Sequence, residues 1–263
     1  MRKTVLKWLG LFACLGIGAV VAYVAQRQPS LDRNWDEDVR VLASVASNSP
    51  RAVILEGVRN WRYSRSEVIN QAYLEQVYHP DQIVDIWMYE QALGMAGLIA
   101  HTFVVFEFAD ISGPQRFLGL SVETRREVGE EYSLMGGVMR EFEITHIWAT
   151  ETDLVTRRVE YLDYPLTRYR LKIPSEYRTE IFRKFVDETH ALASVPGWYN
   201  TLSDNCTSSL VEYVNDAEPG AIPLHYSYVL TGRMNEYLDS LGYLDSQSAL
   251  SITREYLASH DLR

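Results

Sequence analysis

Between Trp8 and Gln26 the chain carries no charged residue over 19 positions, and Arg2, Lys3 and Lys7 stand just ahead of this run. An α-helix rises about 1.5 Å per residue, so the stretch is just long enough to cross the ~30 Å hydrocarbon core of a bilayer. Basic flanks stay on the cytoplasmic side, so the pattern predicts one N-terminal transmembrane helix with everything after Arg27 on the far side. Two other readings use the same residues. Ala22-Tyr23-Val24-Ala25 offers a signal-peptide cleavage site. Leu11-Phe12-Ala13-Cys14 loosely matches a lipoprotein cleavage site, but the apolar stretch Leu15 to Val24 follows the cysteine where a mature lipoprotein would begin polar. The uncleaved anchor is preferred.

Once Arg2, Lys3 and Lys7 are set aside, the formal charge moves from −10 to about −13, because the first acidic residue is Asp32. Such a surface repels nucleic-acid phosphates and anionic headgroups at long range, and no Lys- or Arg-rich run offsets it. Nucleic-acid binding is excluded on this ground. The chain divides into an anchor with its basic flank over 1–27, a polar tether over 28–50, and one domain over 51–263. That domain is long enough for a substantial core, and its many Tyr and Trp residues argue against disorder.

Strand-like runs cover Ala52 to Leu55, Val58 to Tyr63, Ile83 to Met88, Gly97 to Phe108, Phe117 to Arg125, Val138 to Trp148 and Tyr164 to Ile173. The run through His101-Thr102-Phe103-Val104-Val105-Phe106 is apolar on both alternating faces, as expected of a strand covered on both sides. Helical spacing appears in Asp153 to Arg158, in Tyr177, Ile181, Phe182, Phe185 and Leu192 up to about Ser194, and in Met234 to Leu238. Gly136-Gly137 reads as a turn, and Glu127, Glu130 and Glu131 read as a solvated helix face. The fold class is α+β, a mostly antiparallel sheet with flanking helices.

Cys206 is the only cysteine outside the N-terminal apolar run, so it has no partner for an intrachain disulfide within the domain. Leu210, Val211, Tyr213 and Val214 behind it suit the buried stripe of a short helix, with Asp204 or Asn205 as N-cap. A thiol at a helix N-terminus is biased toward thiolate, the form that attacks carbonyl carbon. Such a nucleophile needs a base in hydrogen-bond reach and a third group to orient that base. Of the histidines, His101 lies in the strand expected to be central, where an imidazole needs polar partners. His146 is its rival; His79 lies in a turn, His190 late in a helix, and His225 and His260 are peripheral. Glu123, on the next strand and facing the same way as Ser121 and Arg125, is the candidate orienting group. No His-Glu-x-x-His, Cys-x-x-Cys or calcium-loop pattern is present, so neither a metal nor a cofactor is expected.

Several of these segments carry a resemblance. Ala100-His101-Thr102, the run from Leu120-Ser121-Val122-Glu123-Thr124-Arg125 to Ser133, Thr150 to Val155, Tyr199-Asn200 and Asn205-Cys206-Thr207 together resemble the periplasmic domain of the bacterial lipoprotein N-acylation family Lnb. Asp32-Arg33-Asn34-Trp35, Val58 to Tyr63, Pro219-Gly220 and Leu241 to Leu244 extend it over nearly all of the chain after the apolar run. The resemblance implies a circularly permuted papain-like thiol enzyme with histidine ahead of cysteine, as in lecithin:retinol acyltransferase. It implies Cys206 as nucleophile, His101 as base and Glu123 or Ser121 as third group. Amides at the helix start, with Asn205 and Cys206, are expected to support the oxyanion. The expected substrate is an acyl-lipid or lipoprotein, and the expected location is the bacterial inner membrane, single-pass, with the domain in the periplasm. The alternatives are a hydrolase of envelope peptides or amides, and a non-enzymatic envelope interaction module.

Overall fold

The computed structural model describes residues 2–259, so His260 and the last residues to Arg263 lie outside the description. The first element, α1 (Arg2–Gln26), contains the charge-free run, and Trp8, Phe12, Leu15, Val20, Val21 and Tyr23 on it are exposed. Among the described residues no helix is long and apolar enough to cross a membrane, so the fold itself does not establish the anchor. Residues 28–50 lie against the domain. Trp35 and Val39 are buried, and Arg33 pairs with Glu127 at 3.1 Å and Glu143 at 2.9 Å. This stretch also forms α2 (Glu37–Arg40) and β1 (Ser44–Asn48). Trp35 contributes a large share of that hold, because burying a Trp removes much apolar area from water, and the β1–β2 pairing and the Arg33 ion pairs add to it.

The remaining strands are β2 (Val53–Arg59), β3 (Arg62–Tyr63), β4 (Val68–Asn70), β5 (Tyr73–Tyr78), β6 (Ile83–Gly94), β7 (Ile99–Phe108), β8 (Phe117–Arg125), β9 (Glu143–Thr150), β10 (Leu166–Leu171) and β11 (Leu244–Ile252). Strands β3 and β4 form a separate small hairpin. The other nine build one sheet in the order β1-β2-β9-β8-β7-β6-β10-β11, with β5 also paired to β2. All contacts in it are antiparallel except β2 with β9, where Arg59 meets Ala149 in parallel register. The chain is therefore α+β with a mostly antiparallel sheet, and β7 lies inside it, between β6 and β8.

Two local expectations differ from what is observed. Val138 does not open a strand: residues 134–138 form α3 (Leu134–Val138), capped by the Ser133 hydroxyl, and β9 begins at Glu143. Gly136 and Gly137 sit inside that helix because it packs tightly, and a Cβ on Gly137 would lie 2.2 Å from Thr201 Oγ1. Glu127 to Glu131 form no helix. Glu127 instead makes a β-bridge to Trp35, and its amide donates to Glu130 Oε2 at 2.8 Å.

Helices cover both faces of the sheet. On one face α4 (Glu151–Thr156) and the π-turn Arg157–Tyr161 bury Leu154, Val155 and Val159 against Tyr89, Phe103 and Val105. On the other, α5 (Ser175–Ser194) and α6 (Ser208–Ala217) pack on Phe106, Phe108, Leu120 and Trp148. The α5 positions Ile181, Phe182, Phe185, Val186 and Thr189 recur at helical spacing and are buried. Further along, α7 (Met234–Ser240) packs with β10 and β11, and α8 (Arg254–Ser259) lies with the first face. Because successive strand residues alternate between faces, both helical layers reach β7 side chains, one layer at odd positions and the other at even ones.

Candidate active site

Cys206 sits two residues ahead of α6, in a turn held by Asn205. The Asn205 Oδ1 accepts from the amides of Thr207 at 2.9 Å and Ser208 at 3.0 Å. Its Nδ2 donates to the carbonyls of Thr201 at 3.0 Å and Tyr228 at 2.8 Å. All the donor capacity of this side chain is thus used within the protein, so Asn205 shapes the turn and has no N–H left for an oxyanion. The Thr207 and Ser208 amides are likewise taken, and the amide of Cys206 itself is not drawn into the turn. Thr207 Oγ1 donates to Thr102 Oγ1 at 3.3 Å, and the Cys206 sulfur rests 4.0 Å from the Ala100 carbonyl oxygen, which fixes the thiol beside the start of β7.

Strand pairing supplies the second half of the site. Phe103 lies opposite Ser121 in the β7–β8 ladder, so extending the ladder by two residues brings His101 beside Glu123 on the same face. His101 Nε2 lies 2.7 Å from Ser121 Oγ, Ser121 Oγ donates to Glu123 Oε1 at 2.7 Å, and Nε2 is 3.2 Å from that same oxygen. Nε2 is engaged, leaving Nδ1 as the nitrogen for the sulfur. Arg158, buried, completes the network: Nη2 donates to Glu123 Oε1 at 2.8 Å and to Ser121 Oγ at 3.1 Å, while Nε donates to Gln91 Oε1 at 3.1 Å. Its guanidinium also stacks 4.5 Å from the centre of the Phe103 ring. Nothing in the local sequence marks Arg158, because it comes from a π-turn on a different layer.

The charges of these groups set one another. Burial alone would push the His101 imidazole down, but the Glu123 carboxylate and the Cys206 sulfur outweigh it and raise it to about 9. Burial would push the Cys206 thiol up, and the His101 charge and hydrogen bond, the Thr102 amide and the Thr207 hydroxyl bring it below its ordinary value. Glu123 resists burial in the same way, held well below the carboxylate range by His101, Arg158 and Arg157. The shifts act in one direction, favouring thiolate at Cys206 and imidazolium at His101 with a carboxylate behind them. Tyr199, absent from the candidates drawn from chemistry, is buried beside this pair. Burial, the Cys206 charge and Tyr132 push its phenol upward, so it remains a protonated donor.

These groups open into one cleft of about 260 Å³, whose lining includes Cys206, His101, Glu123, Tyr199 and Asn205. The Thr231–Arg233 turn closes one side. Thr231 Oγ1 bonds both the amide and the carbonyl of Ala100, at 2.9 and 2.6 Å, and Gly232 lies where a Cβ would meet the Gly97 carbonyl at 2.2 Å. The rival His146 lies elsewhere. It is buried under α5 and α6 with Nδ1 2.9 Å from Thr189 Oγ1 and Nε2 3.0 Å from the Tyr213 hydroxyl, and burial pushes it down to about 3. His79 pairs with Asp110 at 2.5 Å, His190 is exposed on α5, and His225 stacks on Tyr237.

Residues 70–232 match the family model of the Lnb N-terminal periplasmic domain, a span that contains every residue of the network just described. No curated protein and no solved structure matches the chain.

Proposed function

The chain belongs to the family of Lnb N-terminal periplasmic domains, and on that premise we propose that it is a thiol acyltransferase of lipoprotein N-acylation, anchored by α1 at the outer face of the bacterial inner membrane. The observation that carries this reading is that Cys206, His101 and Glu123 line one cleft, with buried Ser121 bonded to both His101 and Glu123, the thiol lowered and the imidazole raised. His101 on a strand ahead of Cys206 at a helix start supports a permuted papain-like arrangement.

In this reading the Cys206 thiolate attacks the carbonyl carbon of an acyl ester. The developing oxyanion takes the Cys206 amide, and the Tyr199 hydroxyl stands by as a neutral donor. Collapse breaks the ester C–O bond, and the His101 imidazolium gives its proton to the leaving alkoxide, generating a thioester and neutral imidazole. An amine then attacks the thioester, His101 takes the amine proton, and the amide leaves with the thiolate restored. Ser121 and Glu123 keep Nε2 protonated throughout, so that Nδ1 exchanges the proton. Apolar side chains of Leu93, Leu134 and Val229 along the cleft favour an acyl chain over a peptide as the group admitted.

Intact-mass spectrometry after incubation with a short-chain acyl ester and no amine tests this. Wild type gains one acyl group, which hydroxylamine removes, and Cys206→Ser gains none while keeping its fold. Wild type without an adduct across acyl esters and peptide amides contradicts the enzyme reading and leaves the interaction module.

A further inference from the structure

The mouth of the Cys206 cleft is ringed by exposed apolar side chains. Tyr132, Leu134, Leu93 and Val229 are all exposed, and all four line the cleft. Met135 and Leu202, next in the chain to the lining residues Leu134 and Thr201, are 68% and 54% exposed. They belong to one surface, because Thr201 Oγ1 donates to the Leu134 carbonyl at 2.9 Å. Single exposed apolar residues are ordinary on a protein, whereas six around one opening form a patch that needs a partner.

The position of α1 identifies that partner. The helix ends at Gln26, and by Ser30 the backbone already donates to Glu143 Oε1 at 3.0 Å. Four residues span at most about 14 Å, so the end of α1 is held close to the start of β9. Arg27 lies over the rings of Tyr23 and Trp198, at 5.6 and 5.8 Å, and Trp198 forms a β-bridge with Glu143. From Trp198 the chain runs directly through Tyr199 in the cleft to Leu202 on the rim. The exit of α1 and the apolar rim are thus joined by one five-residue segment.

We propose that this rim seats on the phospholipid bilayer, so that the Cys206 cleft opens onto the acyl-chain layer. The proposal rests on the anchored reading given above and adds to it the orientation of the domain. A chain carrying excess negative charge gains nothing from anionic headgroups, so the contact is apolar, with Trp198 and Tyr132 at the depth where aromatic side chains favour the membrane–water boundary.

The test uses the full chain in phosphatidylcholine vesicles, with and without brominated acyl chains that quench nearby tryptophan. Met135→Trp and Leu202→Trp each add an emitter on the rim. Val77→Trp adds one on exposed β5, which leads into the start of β6, whereas Leu93 lies near that strand's other end. Brominated lipid is expected to cut the emission added at 135 and 202 by more than half and to leave that added at 77 unchanged. If the protein floats with the vesicles and the rim tryptophans stay as bright as the one at 77, the orientation is wrong and the anchor stands. If the protein does not float with the vesicles at all, the anchored reading falls and this surface falls with it.

Discussion

The carboxylate of Glu123 lies 3.2 Å from Nε2 of His101, with the Ser121 hydroxyl bonded to both. That carboxylate holds the imidazolium against a burial penalty that would otherwise discharge it. Glu123→Gln keeps the shape and removes the charge. The imidazolium pKa should then fall from about 9, and with its cation weakened the Cys206 thiol should rise. Both limbs of the pH profile of kcat/KM move toward each other, and the plateau drops by roughly 10²-fold. An alkaline limb that does not move would show that Glu123 is not the group that charges His101.

His101 is in turn what lowers the thiol, since burial by itself acts in the opposite direction. In His101→Ala, iodoacetamide should label Cys206 at least ~10-fold more slowly at neutral pH. Labelling has to be read on the Cys206 peptide by mass spectrometry, because Cys14 is also a free thiol. Equal rates in the two proteins would dissolve the catalytic pair.

Much of this site was legible because its parts obey local rules. The two-residue period put His101 on one strand and Ser121 with Glu123 on the next, and a short amphipathic helix behind Cys206 marked the thiol's place at its start. Arg158 was not legible: it reaches the carboxylate from a π-turn on the covering layer, and no sequence spacing encodes contact between layers. By sequence Asn205 reads as a cap or oxyanion support, and the structure places it in the turn, because both its amide hydrogens find carbonyls. Strands β1, β5 and β11 lack a long apolar run, because Ser47 and Asn48, Glu75 and Gln76, and Ser246 to Ser248 interrupt them. They lie at the margins of the sheet or off its main path, so neighbours rather than composition define them. Trp35 reads as part of a tether for the same reason, since its neighbours Arg125 and Glu127 come from the distant end of β8 and just past it.

Arg59 and Asp153 form a buried ion pair at 2.8 Å, and Asp153 also accepts from the Trp61 amide at 2.6 Å. The pair ties β2 to the first turn of α4, beside the one parallel contact in the sheet. Asp153→Ala strands a buried guanidinium and an amide together, so it should cost about 3–5 kcal/mol, or roughly 10 °C in Tm for a domain of this size. Differential scanning fluorimetry in detergent reads this directly. A loss below about 1 kcal/mol would mean that water reaches Arg59 and replaces the carboxylate.

His146 supplies the opposite case to His101, and the two should separate by pH. Burial pushes the His146 pKa down to about 3, so the folded protein keeps it neutral where the unfolded chain, near 6.5, takes up a proton. The unfolded state therefore binds more protons between about 6.5 and 3, and this residue contributes a loss of stability as pH falls through that window, of about 1.4 kcal/mol per unit. His146→Gln removes the titration while its amide keeps polar atoms near Thr189 and Tyr213. At pH 7.5 the variant should be less stable than wild type, by about 1–3 kcal/mol, because the buried partners are held less well. By pH 4.5 that deficit should shrink or vanish, while the alkylation rate of Cys206 stays at the wild-type value at every pH. A deficit that does not change between the two pH values would show that His146 is protonated in the folded state, and a slowed alkylation would tie it to the thiol after all.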